Sequence, residues 1–221
     1  MVRRNLVFLT CIFALVGFLL GYHPGEYPLV NMLAIMVLAA PSYYFFVKDN
    51  SWQPLVLLAV YGFLFEAQSM VTGVPYGAFG YGTLLGPTVL GAPLTLLFAY
   101  PPLVIGVMHR FKGWMVPVML VLVDLCLDPM AVTLGYWAWD VPGVYYGVPL
   151  VNFAGWLISG TIAYYIMRKH TFSVQCSYTL FFSMIFWITY GVTVGLYVPA
   201  LFGVLFLSLL GKNYYKELYG L

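Results

Sequence analysis

Lysine and arginine are confined to a few short stretches of this chain, and the long stretches between them are apolar. The nine basic residues are Arg3, Arg4, Lys48, Arg110, Lys112, Arg168, Lys169, Lys212 and Lys216. The apolar segments run over 5–22, 28–47, 52–72, 87–108, 114–134, 149–167, 177–194 and 196–211. Each approaches the ~20 residues a helix needs to cross a bilayer core, with the last two short. With eight crossings, every basic residue falls at the start, the end or an even-numbered junction. Basic residues in short loops stay in the cytoplasm. The predicted fold is therefore all-α: a polytopic membrane helix bundle of about eight transmembrane helices, both termini cytoplasmic, multi-pass in the cell membrane. One integral-membrane domain is expected over 1–221.

Composition agrees. The chain is 63% hydrophobic and 7% charged, against about 25% charged residues in a soluble domain. The net charge of +2 is scattered over loops and gives no reason to expect a nucleic-acid partner. Cys11, Cys126 and Cys176 lack metal-ligand spacing and read as free thiols, in effect small hydrophobes. The first span follows Arg3 and Arg4 as a signal peptide would, but its length and the spans after it point to a retained helix. The stretch 178–211 would be about 50 Å long as one helix, so Gly195 and Pro199 are expected to turn it. Glu26 and Asp140 are expected in outer loops.

Two outer loops mix Gly and Pro with aromatics, residues 73–87 and 135–147. Ordered turns carrying flat side chains are expected there, folded over the bundle as a lid or re-entrant cap. A weak repeat links them: Glu66 precedes Gly73 by seven residues, and Asp128 precedes Gly135 by seven. Duplication and coincidence in a Gly-rich chain are about equally good readings of it.

Three acids, Glu66, Asp124 and Asp128, fall inside spans, where charge is costly and usually functional. Glu66 and Asp128 sit at matching depth, about 10 Å below the outer loops. Asp124 lies one turn deeper on the face of Asp128, because residues four apart are helix neighbours. Pro129 should kink or widen that helix. With no Lys or Arg inside a span, a buried carboxyl resists ionisation and becomes a proton donor. The bland alternative is structural: a buried acid that bonds a neighbouring carbonyl and pins the bundle. Tyr76, Phe79, Tyr81, Tyr136, Trp137, Trp139, Tyr145 and Tyr146 should lie at or above the carboxylates. They read as interfacial anchors, or as the walls of a slot for a conjugated ligand or carbocation. Asn152 either orients water or substrate, or satisfies backbone groups freed by Pro149. His23, His109 and His170 do not pair at metal-ligand spacing. Nucleotide-binding, zincin and nucleophile-elbow motifs are absent from the sequence.

Three blocks of residues resemble one family. They are Phe65-Glu66-Ala67 with Thr72-Gly73-Val74-Pro75-Tyr76-Gly77 and Tyr81-Gly82; Leu127-Asp128-Pro129 with Gly135-Tyr136-Trp137-Ala138-Trp139; and Tyr145-Tyr146-Gly147-Val148-Pro149 with Asn152-Phe153-Ala154-Gly155-Trp156. Together they resemble the integral-membrane carotenoid biosynthesis proteins of the bisanhydrobacterioruberin hydratase and carotenoid 1,2-hydratase type. The resemblance covers about 65–156, which would be the catalytic portion. It implies a hydro-lyase that adds water across the terminal C=C of an acyclic carotenoid end. Acid catalysis through a tertiary carbocation would give a tertiary alcohol. Glu66, Asp124 and Asp128 would be catalytic, with Asp128 or Glu66 as the acid. Tyr76, Tyr81, Trp137, Trp139, Tyr146 and Asn152 would bind substrate. No metal or redox cofactor is required. The implied partners are a membrane-dissolved carotenoid, the lipid bilayer and other carotenoid-pathway enzymes. Three other readings share the same residues: a carotenoid or isoprenoid cyclase, a proton-coupled transporter, and a pigment-binding protein.

Overall fold

The computed structural model describes residues 2–22 and 27–219, with the side chains of residues 2–4 and 22 outside that description. His23 and Glu26, expected in an outer loop, lie outside the described residues. Eight α-helices form an all-α membrane bundle: α1 (Val2–Tyr22), α2 (Pro28–Asp49), α3 (Gln53–Thr72), α4 (Leu96–Arg110), α5 (Met115–Thr133), α6 (Leu150–Met167), α7 (Tyr178–Thr193) and α8 (Tyr197–Tyr219). Among the described residues, six helices are long and apolar enough to cross a membrane, and α1 and α4 supply shorter apolar segments.

One end of the bundle gathers the basic junctions. Asn50, just past α2, donates to the Thr171 carbonyl at 2.8 Å beyond α6. Arg110 at the end of α4 donates to the Leu210 carbonyl at 2.7 Å in α8. That carbonyl is available because Gly211 leaves helical geometry at φ 79°. His109 approaches Glu217 at 3.6 Å. The start of α1 lies at the same end, because α1 runs parallel to α7, Phe13 stacking on Phe182 and Gly21 lying against Thr193. The clustering expected from charge spacing is thus a property of the folded bundle.

The turn expected at Gly195 is present, with φ 83° there and Pro199 in the first turn of α8. The fourth span differs from expectation. Expected over 87–108, it is helical only from Leu96. Residues before it form a 3-10 turn at Thr83–Leu85 and a hairpin of β2 (Thr88–Val89) and β3 (Ala92–Pro93). Gly86 and Gly91 adopt left-handed φ of 87° and 83°, and Pro93 has no backbone N–H to donate. Ala92 and Pro93 are buried in the cap while Val89, Leu90 and Leu94 stay exposed, and hydropathy cannot distinguish such a segment from a span.

The two aromatic loops do fold over the bundle. β1 (Phe79–Tyr81) pairs antiparallel with β4 (Trp137–Trp139), Phe79 opposite Trp139 and Tyr81 opposite Trp137. The ladder is extended by Gly82 N–H to Tyr136 O and Asp140 N–H to Ala78 O. The segments following Glu66 and Asp128 therefore meet as partners. Asp140 is exposed, as expected of an outer loop.

Two prolines inside helices are compensated from elsewhere in the bundle. Pro129 leaves the Leu125 carbonyl without its helical donor, and the Tyr145 hydroxyl donates to it at 2.8 Å. Pro101 likewise frees the Leu97 carbonyl, which accepts from the Tyr43 hydroxyl. In lipid, backbone groups must find partners within the protein, so these tyrosines permit the irregular helices that shape the interior. Cys126 and Cys176 are buried free thiols, and Cys11 is exposed.

Candidate active site

Below the β1–β4 cap lies a cavity of about 370 Å³. Three helices bring the acids and the amide facing the cap to it. α3 delivers Glu66, α5 delivers Asp128, and the first turn of α6 delivers Asn152. Asp124 and Asp128 share one face of α5, as their spacing predicts. Asn152 Nδ2 donates to both, 2.8 Å from Asp124 Oδ2 and 2.7 Å from Asp128 Oδ2. The two carboxyls therefore converge on a single amide nitrogen. All three residues are at most 4% exposed. Asp124 stands behind Asp128, off the cavity wall, and its Oδ1 has no partner. Asn152 is therefore bonded to the carboxyls, and the Pro149 carbonyl simply accepts the Asn152 backbone N–H at the helix start.

Glu66 is half-buried, and it borders the cavity. Its Oε2 accepts from the Tyr81 hydroxyl at 3.2 Å. Tyr81 stands in the cap. Burial first, and then the neighbouring Glu66 carboxyl, push its hydroxyl well above the usual tyrosine value. Tyr81 is thus a fixed donor, and Glu66 keeps its second oxygen for the cavity.

The walls are aromatic. Tyr76, Tyr81, Trp137 and Trp139 all border the cavity, and Trp139 Nε1 donates to the Tyr76 carbonyl at 2.8 Å, tying β4 to the loop after α3. Trp156 lies between Tyr76 and Tyr100, with ring centroids 6.3 and 6.0 Å away. Two glycines make room for these rings. A Cβ on Gly155 would sit 2.5 Å from the Tyr76 ring, and one on Gly62 would sit 2.4 Å from the Tyr100 ring. Of the expected binding residues, Tyr146 is not brought to the cavity. It is 42% exposed, stacked edge-on to Tyr145, at φ 50° in the turn before α6. Its neighbour Tyr145 turns inward to Leu125, so only one of the adjacent pair can face the bundle.

Sequence reasoning passed over Tyr100 and Trp156 as cavity residues. Tyr100 is 5% exposed, and its hydroxyl has no hydrogen-bond partner within range. Its signal in the sequence is a tyrosine directly before two prolines in a membrane span. Among the described residues, His, Cys, Asp and Glu form no cluster of three that could hold a metal ion.

This geometry can be set beside known proteins. Residues 26–210 match the family described as carotenoid biosynthesis protein. The chain belongs to that family. Within the carotenoid biosynthesis family, it is 40% identical over 123 residues to the bisanhydrobacterioruberin hydratase of Haloarcula japonica. That alignment covers 49% of this chain and 42% of the relative, so the chain spans less than half the length of the curated protein it matches. No solved structure matches the chain.

Proposed function

We propose that this family member is a carotenoid hydratase of the cell membrane, adding water to the terminal C=C of an acyclic carotenoid. The observation carrying this reading is that Glu66 and Asp128 come from different helices to one apolar, aromatic-walled cavity. The named relative supports hydration as the reaction.

Hydrating a trisubstituted alkene requires a proton, a place for a tertiary cation and one positioned water. Asp128 is the group we assign as donor. Of the two carboxyls bonded to Asn152 it is the one bordering the cavity, and two acids so close share a proton rather than both ionise. Its O–H breaks as the alkene π electrons form the new C–H bond. Positive charge then develops on the more substituted carbon. The faces of Tyr76, Trp156 and Tyr100 stabilise it by cation–π attraction, and the Glu66 carboxylate does so by charge. Water adds to the cation and gives its proton to Glu66, and return of that proton to Asp128 restores the site. Asn152 fixes the donor pair, and Tyr81 fixes Glu66. The basic end of the bundle faces the cytoplasm in this reading, which places the cap at the outer side.

Coexpression with an acyclic carotenoid pathway, followed by mass spectrometry of the pigments, tests the proposal. The expected product has gained the mass of one water per reacted end. A product of unchanged mass means cyclisation, and unaltered pigment with the protein present in membranes refutes catalysis.

A further inference from the structure

The cavity extends well beyond the carboxylates. Its far part is bordered by α1, α2 and α7, through Phe13, Val16, Val30, Ala34, Leu38 and Phe186. Along α2 the bordering residues run from Tyr27 to Leu38, about 16 Å of helix. Here the packing is uneven. α1 lies along α7, and α2 lies along α4, but α1 and α2 make at most marginal contact with each other among the described residues. Four residues at this gap both border the cavity and are exposed at the surface of the bundle: Val16 at 46%, Tyr27 at 59%, Val30 at 61%, and Ala34. A residue that does both stands at the rim of an opening.

The surroundings of the opening are apolar. Leu15 and Leu19 on α1 and Leu33 and Val37 on α2 are exposed, so the opening faces hydrocarbon. Two of the polar groups bordering this part are already engaged within the protein. Asn31 donates to the Leu84 carbonyl at 3.2 Å, and Thr179 donates to the Leu38 carbonyl at 2.7 Å. A volume of about 370 Å³ lies at the small end of ligand sites. It accommodates the end of a long polyene, and the rest of that chain must leave through an opening at hydrocarbon depth.

We propose that the gap between α1 and α2, rimmed by Val16, Val30 and Ala34, is a lateral portal for a linear isoprenoid polyene. The chain enters end-first from the bilayer, its tip reaches Asp128 and Glu66, and its tail stays between α1 and α2. The identity of the reacting end rests on the hydratase reading, but the portal itself is a statement about binding.

The test uses the full chain in lipid nanodiscs with an acyclic carotenoid such as lycopene. Binding is read from quenching of tryptophan fluorescence, since Trp137, Trp156 and Trp187 border the cavity. Product is read by mass spectrometry. Ala34→Phe narrows the gap, and Val16→Phe narrows it from the facing helix. Val37→Phe is the control, on α2 and 72% exposed but off the cavity wall. Each variant is accepted only with a thermal transition near that of the parent protein. The expected result is at least tenfold weaker quenching in Ala34→Phe or Val16→Phe, parental quenching in Val37→Phe, and retained quenching without product in Asp128→Asn. Parental quenching in both rim variants, or equal weakening in Val37→Phe, overturns the portal. If the parent binds through the portal but yields no hydrated product, the portal stands and the hydratase reading falls. If the parent shows no quenching, both fall.

Discussion

Asn152 Nδ2 lies 2.7 Å from Asp128 Oδ2, and this contact ties the first turn of α6 to the proline-interrupted end of α5. The same nitrogen reaches Asp124 at 2.8 Å. One amide thus organises a pair of carboxyls that has no cation beside it among the described residues. Replacing Asn152 with Leu leaves both acids short of a donor. Hydrogen bonds to charged groups contribute about 1.5–3 kcal/mol each. Asn152→Leu is expected to lower thermal stability by roughly 2 kcal/mol or more and to abolish product, whereas Asn152→Gln should recover part of the stability. A thermal melt of purified protein checks this, and an unchanged transition would refute the bridging role.

Asp128→Asn and Glu66→Gln keep shape and remove the acid. Loss of a general acid or base costs about 10²–10⁴ in rate, so pigment conversion should fall by at least a hundredfold in each variant. Membrane expression should stay near the parental level. Asp124→Asn, one turn behind the wall, is expected to slow conversion by a smaller factor, because it acts through Asp128. Equal losses at Asp124 and Asp128 would contradict that ordering.

Tyr145→Phe removes the donor to the Leu125 carbonyl that Pro129 frees. The expected cost is about 1 kcal/mol of stability, with the reaction slowed only if α5 shifts. Pairing it with Pro129→Ala, which restores the helical donor, should cancel most of that cost in a double-mutant cycle.

Gly155→Ala drives a methyl into the Tyr76 ring, since its Cβ would meet that ring at 2.5 Å. Conversion should drop at least tenfold, through displacement of the cavity wall. Shrinking the ring with Tyr76→Leu in the same chain should relieve the clash and restore stability, though not the aromatic face. Differential scanning of the single and double variants reads this directly.

Alkaline stability reports the half-buried cap tyrosines. Burial, then the Glu66 carboxyl, raises the Tyr81 hydroxyl, and burial followed by the Tyr190 hydroxyl raises Tyr136 to about 12. Unfolded tyrosine ionises near pH 10. Below that pH both states hold the proton and these groups contribute fully. Above it the unfolded state loses protons first, so stability falls as pH rises towards the folded values. The melting temperature should decline above about pH 10, less steeply in Tyr81→Phe and Tyr136→Phe than in the parent. A decline of the same slope in those variants would assign the effect elsewhere.

The number of apolar segments, the common end of the basic junctions and the shared face of Asp124 and Asp128 were legible in the residue order. These are local properties: hydropathy and charge are carried by contiguous residues, and a bilayer sorts them by position along the chain. The aromatic cap was legible too, because Gly and Pro announce turns. Residues 87–95 were misread because apolar side chains pack equally well on lipid or on protein, and only the chain path distinguishes the two.

What the tertiary structure decided was which way each helix faces. α3 and α5 are apolar nearly all round, so they carry no polar stripe to mark the cavity side. The meeting of Asn152 with Asp124 and Asp128, the withdrawal of Asp124 behind the wall, the inward turn of Tyr100 and the outward turn of Tyr146 all depend on helix rotation. That rotation is set by close contacts between residues distant in sequence, such as Gly62 under the Tyr100 ring and Gly155 under Tyr76. The gap between α1 and α2 has the same origin: the glycines of α1 dock it on α7 and leave the space beside α2 open.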